Sequence, residues 1–394
     1  MRGIICLSTL EWDYIWNRQH ELMSRFAAEG RYIVFVEPLG IREPTSHDWP
    51  RIVGRLRRAT RSVPRGRQAP PTLQIVAPLT LPLHARAWAR WINRLFLRGL
   101  VIRAQQWTGP APLLWTYYAT EAVLDIHALL PDSPVVFDCT DEIALNHKGV
   151  ARSYRRTEQA LLASADAVIV SSQALLEAKR PLSRRIRLIS HGANIERFQG
   201  HPEAEPTELA VLPHPRLLFF GGLDERLDEE LLAGLAESRP DWHIVLIGPR
   251  KVALDRVLDR TNVTWLGPKA HETLPAYLAA SDVLLIPYRL DAYARFIYPT
   301  KIHECLASGR PTVAVPLPDL QSLAPVVLLA EGISEWERAI ELALSPAATA
   351  PSLVAARRAV AAQHSWDRRF EEIREFVDPL LLSPLSISPS PIRA

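Results

Sequence analysis

Few residues of this sequence belong to the types that build disulfide frameworks or metal sites. The 394-residue chain has three cysteines, Cys6, Cys139 and Cys305, which are far apart and each lie in or beside an apolar segment. Neither a disulfide framework nor a zinc-ligand spacing is present. The sequence also lacks an apolar run near the roughly 18 residues of a membrane-spanning helix. We therefore expect a soluble, cytoplasmic protein whose start, MRGIICLSTLEWD, forms a strand rather than a signal peptide.

Several sequence motifs of catalysis are absent as well. The chain contains no G-x-x-x-x-G-K-[ST], no G-x-S-x-G, no Cys/His metal set and no Asp-x-Asp pair. These absences argue against a P-loop nucleotidase, a serine hydrolase, a zinc enzyme and a metal-chelated diphosphate site. We expect no metal site, so a bound diphosphate would have to be neutralised by Lys, Arg and a helix N-terminus.

Composition and length indicate two globular domains with different surfaces. The chain is 48% hydrophobic and 23% charged, and its length fits two cores better than one. Residues 1–200 carry 27 Lys and Arg against 17 Asp and Glu, whereas residues 201–394 carry 19 against 26. A basic half is typical of a protein that meets a polyanion or an anionic membrane surface. The alternative is a scattered basic surface without a specific ligand.

Short apolar runs alternate with helix-length segments along nearly the whole chain, which predicts an α/β fold with parallel sheets. The strands predicted in the first half are GIICL, YIVFV, TLQIVA, PLLWTYY, PVVFD, AVIVSS and IRLIS. Those predicted in the second half are RLLFFGG, HIVLIG, NVTWLG, DVLLIP, PTVAV and PVVLLA. Between the first two runs we predict a helix over Asn17–Glu29, followed by Gly30 as its C′ residue.

The predicted domains are residues 1–197 and residues 216–364. The Pro-rich stretch 198–215 between them has no periodicity and is interpreted as a linker. A helix over residues 365–377 and a loosely ordered Pro/Ser-rich tail over residues 378–394 complete the chain.

A basic, aromatic segment stands out in the first half. Seven arginines lie in Arg51–Arg67, and the following helical stretch has four more at i, i+4 spacing. These four are Arg86, Arg90, Arg94 and Arg98, and the apolar residues Trp88, Trp91, Ile92, Leu95 and Phe96 fall largely on the other face. Two interpretations are open: the helix lies on anionic lipid, or its Trp/Leu face packs on the sheet like that of any α/β helix.

The segment Tyr298–Val315, YPTKIHECLASGRPTVAV, carries the strongest chemical signal. Pro299 suits the first turn of a helix that ends near Ser308 with Gly309 as its cap, and a buried strand follows. The helix N-terminus then points to the carboxyl edge of a parallel sheet, where a diphosphate is favoured.

Three residues at the start of this helix would bind that ligand. Thr300 and Lys301 provide amides and a positive charge, and Glu304 lies on the same helix face, where a carboxylate can accept from both ribose hydroxyls. The alternative is a capped surface helix with an ordinary i, i+3 Lys/Glu pair.

The order P-x-K-x-x-E-x-L-A-x-G-x-P-x-V resembles the donor-binding segment of GT-B glycosyltransferases, particularly family 4-like enzymes of cell-surface polysaccharide synthesis. RLLFFGGLDERLDEELL, HIVLIGP, NVTWLGPKAHETLPAYLAASDVLLIPY and ADAVIVSSQAL with IRLISHGANIERF resemble further family segments in the same order. The likeness covers nearly the whole chain and is strongest over Ala165–Val315. It implies two Rossmann-like, doubly wound domains facing across a cleft, the first for the acceptor and the second for the nucleotide sugar.

The resemblance also implies roles for individual residues. It assigns the diphosphate to Gly222, Thr300 and Lys301, and the ribose to Glu304. The turns at Gly248 and at Leu266–Gly267 would border the base. No cofactor is implied, since the nucleoside diphosphate sugar is a co-substrate.

The sequence departs from the family pattern at three positions. Phe296 stands where the family usually has the first of two glutamates, so the sugar and the stereochemical outcome are not fixed by the resemblance. Gly222 replaces the usual arginine of the first turn, and we expect Arg226 and Lys301 to supply that charge instead. Thr140 stands where a histidine is usual.

Acidic residues follow a predicted strand in the first half. Asp138, Asp141 and Glu142 would reach the acceptor if the fold is as predicted, and Asp138 and Asp141 are our candidate catalytic bases for an inverting reaction. A retaining reaction, which the resemblance favours, needs no such base. The alternative interpretation is helix capping and solvated acids after a strand.

Together these patterns predict a metal-independent glycosyltransferase that moves a sugar from a nucleoside diphosphate sugar to a glycan or lipid-linked acceptor. We expect peripheral contact with the inner face of the cell membrane and no nucleic-acid partner. Two other functions stay open: a sugar-nucleotide epimerase of the same architecture, and a non-catalytic scaffold that binds membrane or glycan.

Overall fold

The computed structural model describes residues 2–14, 16–39, 69–81, 87–146, 152–200 and 204–382. The chain forms two compact units, an N-terminal unit of Met1–Ile189 with Phe370–Ala394 and a C-terminal unit of Ser190–Arg369. The division therefore lies before the end of the predicted first domain. The arginine-rich stretch 51–67, Arg86 and most of the predicted tail lie outside the described residues.

The N-terminal unit is built on a parallel sheet of seven strands in the order β3-β2-β1-β4-β5-β6-β7. Each strand matches one of the seven predicted apolar runs. The five inner strands are buried along their whole length and largely apolar, as strands covered on both faces are, whereas the two edge strands are partly exposed. The strands are β1 (Ile4–Leu7), β2 (Ile33–Val36), β3 (Leu73–Val76), β4 (Leu113–Thr116), β5 (Val135–Cys139), β6 (Ala167–Val170) and β7 (Ile186–Leu188).

Helices connect these strands. The first, α1 (Arg18–Ala28), confirms the predicted helix: the Asn17 side chain accepts from the Gln19 amide at its start, and Gly30 follows it with φ +83°. The others are α2 (Ala87–Thr108), α3 (Glu121–Ala128), α4 (Ile143–Asn146), α5 (Arg152–Ser164) and α6 (Gln173–Lys179).

Helix α2 packs against the rest of the unit through a face other than its Trp/Leu face. Ala89, Leu97 and Val101 are buried. The side chains of Trp88, Trp91, Leu95, Phe96 and Ile102 are exposed. Two of its arginines, Arg90 and Arg94, pair with Asp125 of α3 at 3.0 and 2.9 Å. The interpretation in which the Trp/Leu face packs on the sheet is therefore wrong. No described helix is both long and apolar enough to cross a membrane.

The C-terminal unit has a parallel sheet in the order β10-β9-β8-β11-β12-β13. The order reverses between β8 and β11, and in such sheets ligands bind at the carboxyl ends of the strands at this point. The strands, all predicted, are β8 (Arg216–Phe220), β9 (His243–Ile247), β10 (Val263–Trp265), β11 (Val283–Ile286), β12 (Thr312–Ala314) and β13 (Leu328–Leu329).

The remaining α-helices of the described chain lie within or leave this unit. They are α7 (Ile195–Gln199), α8 (Thr207–Ala210), α9 (Glu229–Ser238), α10 (Asp255–Leu258), α11 (Leu274–Ala279), α12 (Lys301–Ser308), α13 (Ile333–Leu344), α14 (Pro351–Ala362) and the last helix, α15 (Trp366–Leu382). Two short helices, α7 and α8, overlap or lie within the stretch predicted as a linker. From Phe370 onward α15 belongs to the N-terminal unit, where the Phe370 ring lies 4.8 Å from that of Phe26.

The first and second strands of the C-terminal sheet end on glycines that touch through their backbones. Gly221 follows β8 with φ +130°, and Gly248 follows β9 with φ +140°. A Cβ atom on Gly248 would lie 1.8 Å from the Gly221 carbonyl oxygen. Only glycine therefore fits at position 248, where the ends of the two strands approach each other.

We predict that Gly248→Ala lowers the free energy of unfolding by about 3 kcal/mol or more, because it combines steric overlap with a disfavoured φ. Gly267→Ala is the matched control, since Gly267 also has positive φ, +71°, but a Cβ atom added there would meet no atom within 4 Å. It should cost only about 1 kcal/mol. Urea unfolding of the three proteins measures both values, and equal losses would contradict the steric explanation.

Two stacked imidazoles lie where the chain enters and leaves the C-terminal unit. The rings of His303 and His364 are nearly parallel, with centroids 3.8 Å apart, and the Tyr298 hydroxyl lies 2.6 Å from His303 Nε2. Ala193 and Trp366 share a backbone hydrogen bond beside them. Burial lowers the pKa of His303 well below its usual range, and burial with nearby arginines lowers the pKa of His364 to about 4.

These pKa shifts predict that the free energy of unfolding falls in mild acid. Unfolded histidines take up protons below about pH 6.5, whereas His364 in the fold, with a pKa of about 4, does so only in stronger acid, so folding free energy is lost as the pH falls through this interval. His364→Phe keeps a stacked ring without the titration, and it should flatten the decline of the melting temperature between about pH 7 and about pH 4.5. A wild-type slope in His364→Phe would contradict the assignment.

Candidate nucleotide-binding site

Helix α12 ends where the sequence predicts, but it begins after Pro299, which was predicted to lie in its first turn. Thr300 is its N-cap residue, the helix covers Lys301–Ser308, and Gly309 ends it with φ +80°. Its hydrophobic side, Ile302, Cys305 and Leu306, is fully buried. The N-terminus of α12 therefore has a fixed position in the C-terminal unit, as binding of a charged ligand requires.

The Lys301 side chain reaches the point where the strand order of the sheet reverses. Its Nζ atom lies 3.9 Å from the centre of the Phe219 ring in β8 and 5.2 Å from that of Tyr288, which follows β11. It also lies 2.5 Å from where a Gly221 Cβ would be. Lys301 forms no ion pair with any residue that the structure describes. An ammonium group held over aromatic rings without a carboxylate is a ready partner for an anion.

Arg226, the other predicted cation, is already neutralised. Its guanidinium makes two hydrogen bonds with the Asp224 carboxylate, at 2.8 and 2.7 Å. Burial opposes ionisation of Asp224, but the bonds and charge of Arg226, with Lys251, lower the pKa of this carboxyl overall. Gly222 adjoins the pair, because its Cβ would lie 3.1 Å from Asp224 Oδ2. Lys301 is thus the predicted cation whose charge stays uncompensated.

Glu304, the predicted ribose ligand, is largely buried and accepts a hydrogen bond from His271 Nε2 at 2.8 Å. The hydrogen bond with Glu304 raises the pKa of His271 above its usual value, with burial opposing it. Arg197 Nη1 lies 3.1 Å from His271 Nδ1 on the other side of the ring. Sequence reasoning missed His271, although it lies four residues after the predicted turn residue Gly267.

The turns predicted to border the base adjoin each other. The Gly248 amide donates to the Gly267 carbonyl at 2.9 Å, and the Leu266 amide donates to the Leu246 carbonyl at 3.0 Å. The Trp265 indole donates to the Gly248 carbonyl at 2.9 Å. Gly221, which was not among the predicted site residues, lies between these turns and Lys301. The turns, Gly221 and Lys301 therefore lie along one edge of the sheet.

The position of the missing glutamate carries an aromatic ring. Phe296 ends a short 3₁₀ helix, Ala294–Phe296, and the Arg295 guanidinium lies 5.1 Å from the centre of its ring. Within the described ranges, no group of three or more His, Cys, Asp and Glu side chains could hold a metal ion.

The acids predicted for catalysis lie in the N-terminal unit. Asp138 is fully buried, and Arg18 Nε donates to it at 2.9 Å. Burial raises the pKa of Asp138, while the charge and hydrogen bond of Arg18 oppose the increase. Asp141, three residues later, is half-buried. Asp138 is therefore part of a buried ion pair, and Asp141 is the more accessible of the two.

Glu142 is engaged in a second buried cluster. Lys179 Nζ lies 2.7 Å from Glu142 and 2.8 Å from Glu158, and all three side chains are buried. Removing one member of such a cluster leaves an uncompensated buried charge, so its acids are held by the fold.

Comparison with known proteins matches a segment of the chain that contains most of these residues. Residues 214–344 match the model of the family described as glycosyl transferases group 1. A curated relative, the putative teichuronic acid biosynthesis glycosyltransferase TuaH of Bacillus subtilis (strain 168), is 27% identical over 206 residues. This alignment covers 48% of the chain and 52% of the relative, so the chain spans about half the length of that protein.

Solved structures resemble the chain over nearly its whole length. Sucrose-phosphate synthase from Thermosynechococcus elongatus has a TM-score of 0.72 at 19% identity, covering 97% of this chain and 99% of its own. Anabaena HepE in complex with UDP-glucose has a TM-score of 0.66 at 15% identity, with coverage of 96% and 100%. At this identity the likeness shows the fold. The chain thus has the GT-B fold, and its residues 214–344 are similar to glycosyl transferases group 1, as the sequence motifs predict.

Proposed function

We propose that this protein transfers a glycosyl group from a nucleoside diphosphate sugar to a glycan or lipid-linked acceptor in cell-surface polysaccharide synthesis. The observation that carries the proposal is Lys301, a cation without a carboxylate partner among the described residues, held where the strand order reverses. The match of residues 214–344 to a glycosyltransferase family and the similarity to TuaH support it.

The diphosphate binds at the N-terminus of α12 in this proposal. Lys301 supplies a full positive charge, and Thr300 with the first helical amides supplies hydrogen bonds and the positive end of the helix dipole. Gly221, which has no side chain, leaves room for the Lys301 ammonium group close to the backbone, and Gly222 follows it in the same turn. When the bond from the sugar to the diphosphate breaks, the same groups stabilise the charge of the leaving group, so the reaction needs no metal ion.

The nucleoside extends from there toward Glu304 and the glycine turns. Glu304 accepts hydrogen bonds from the ribose hydroxyls, and Gly248, Leu266 and Gly267 border the base. UDP is the first nucleotide to test, because Anabaena HepE was solved in complex with UDP-glucose.

For the chemistry we propose retention of the anomeric configuration. The acids of the N-terminal unit favour it, since Asp138 is buried against Arg18 and is held by the fold. If the reaction inverts, Asp141 is the better placed candidate base of the two, as it is only half-buried.

We predict that one diphosphate of a panel of UDP, GDP, dTDP, CDP and ADP raises the melting temperature of the protein. At about a hundredfold over its dissociation constant, the ligand should stabilise the fold by about 2.7 kcal/mol. Lys301→Ala and Glu304→Ala should abolish most of this shift, because each removes a charged hydrogen-bonding group. Differential scanning fluorimetry measures it.

Arg338→Ala is the control for this experiment, since it removes an exposed cation from helix α13 of the same unit. It should keep the wild-type shift. If no diphosphate shifts the wild type, the transferase proposal fails and the non-catalytic scaffold gains support. If the enzyme releases a new sugar nucleotide without acceptor, it is an epimerase.

We also propose that helix α2 places the N-terminal unit on an anionic membrane surface, where a lipid-linked acceptor would be found. The exposed fractions of Trp88, Trp91 and Leu95 are 54%, 65% and 56%. Arg98 and Arg103 are exposed on the same helix and form no ion pair with a described residue. Indole rings beside cations are typical of helices that lie in the interface of an anionic bilayer.

Trp88→Ala with Trp91→Ala should reduce binding to vesicles with roughly 30 to 40 mol% phosphatidylglycerol about tenfold or more, as the two rings bury large apolar areas in the interface. Vesicle cosedimentation measures it, and binding of the wild type should weaken with salt. Val211→Ser removes an exposed apolar residue from the C-terminal unit and should bind like the wild type. Wild-type binding by the double variant would contradict the membrane proposal.

A further inference from the structure

Two side chains from separate elements form a hydrogen-bonded relay that ends on the carboxylate of Glu304. His271 belongs to the loop between β10 and α11, and Arg197 belongs to α7. The two contacts, 3.1 Å from Arg197 Nη1 to His271 Nδ1 and 2.8 Å from His271 Nε2 to Glu304 Oε1, form a continuous chain. The Phe198 ring also packs edge-on against the imidazole, with ring centroids 5.4 Å apart.

The partners of the imidazole determine which of its nitrogens carries the proton. Arginine has no acceptor, so Arg197 donates and His271 Nδ1 accepts. The proton of the neutral ring must then be on Nε2, from which it is donated to Glu304. Arg197 is held in turn by Glu272, whose Oε1 lies 3.7 Å from Nη1. Both the orientation of the ring and its tautomer are therefore fixed before any ligand binds.

We infer that His271 is a positioning residue for the donor nucleotide: it fixes the Glu304 carboxylate so that the protein selects a ribose with a free 2′-hydroxyl over 2′-deoxyribose. The inference rests on the proposed function and adds to it a residue and a specificity. A carboxylate on a helix surface has several rotamers, and a hydrogen bond from a fixed ring selects one of them. A carboxylate fixed in this way leaves acceptor positions for two vicinal hydroxyls and disfavours a sugar that lacks one.

The test compares the dissociation constants of UDP and 2′-deoxy-UDP by calorimetry, or of another ribonucleotide pair if the panel selects another base. The wild type should prefer the ribonucleotide by about tenfold to a hundredfold. His271→Ala should reduce the preference to about threefold or less, because Glu304 is then free to rotate. His271→Gln keeps a donor near the position of Nε2 and should restore most of it.

Glu304→Gln and Glu237→Gln complete the set. Glu304→Gln should lose the preference, since the acceptor itself is altered. Glu237→Gln changes an exposed acid of α9 that pairs with Arg260, outside the relay, and should keep the preference. Far-ultraviolet circular dichroism and melting temperatures show whether each variant is folded.

The outcomes separate the inference from the proposed function. If the wild type binds no nucleoside diphosphate, the proposed function fails and the inference fails with it. If the wild type binds and Glu304→Gln loses the preference while His271→Ala keeps it, His271 does not position the carboxylate and the inference alone is overturned. If Glu304→Gln also keeps the preference, the ribose is recognised elsewhere and the inference is overturned as well.

Discussion

The contact between the backbones of Gly221 and Gly248 determines the shape of the candidate site. It is possible only because Gly248 has no side chain, and it holds the end of β9 against the end of β8, the strand that borders the point where the strand order reverses. The space above Gly221 is occupied by the ammonium group of Lys301 instead of a Cβ atom. The absence of a side chain at Gly248 thus brings the two strand ends together, and its absence at Gly221 leaves room for the cation.

Both units are built on a parallel sheet, but they differ in whether the charged side chains near the strand ends are all paired within the fold. In the N-terminal unit, acids at or after the strand β5 form ion pairs with buried cations: Asp138 pairs with Arg18, and Glu142 pairs with Lys179. In the C-terminal unit, Asp224 neutralises Arg226, but Lys301 has no such partner among the described residues. Buried pairs hold a fold together with little charge left for a ligand, whereas an unpaired cation at a strand end attracts one.

The sequence was sufficient for features that depend on local patterns. All thirteen strands of the described chain could be predicted because most of them are buried and form short apolar runs, and α12 could be bounded because Pro299 and Gly309 flank it. Pairings between distant side chains could not be predicted: nothing in the local sequence brings His271 to Glu304 or Arg18 to Asp138. The orientation of α2 could not be predicted either. Apolar residues occur on both of its faces, and the sequence pattern does not indicate which face is buried.

The relay behind Glu304 resolves an apparent conflict within the site. A carboxylate three residues from Lys301 would repel a diphosphate if its charge were uncompensated. Hydrogen bonding to His271, with Arg197 behind it, disperses part of that negative charge and fixes the direction of the carboxylate. In the proposed complex, Lys301 would face the diphosphate and Glu304 the ribose. Helix α12 presents a cation and an anion within one turn, and the proposal directs each to a different part of the same nucleotide.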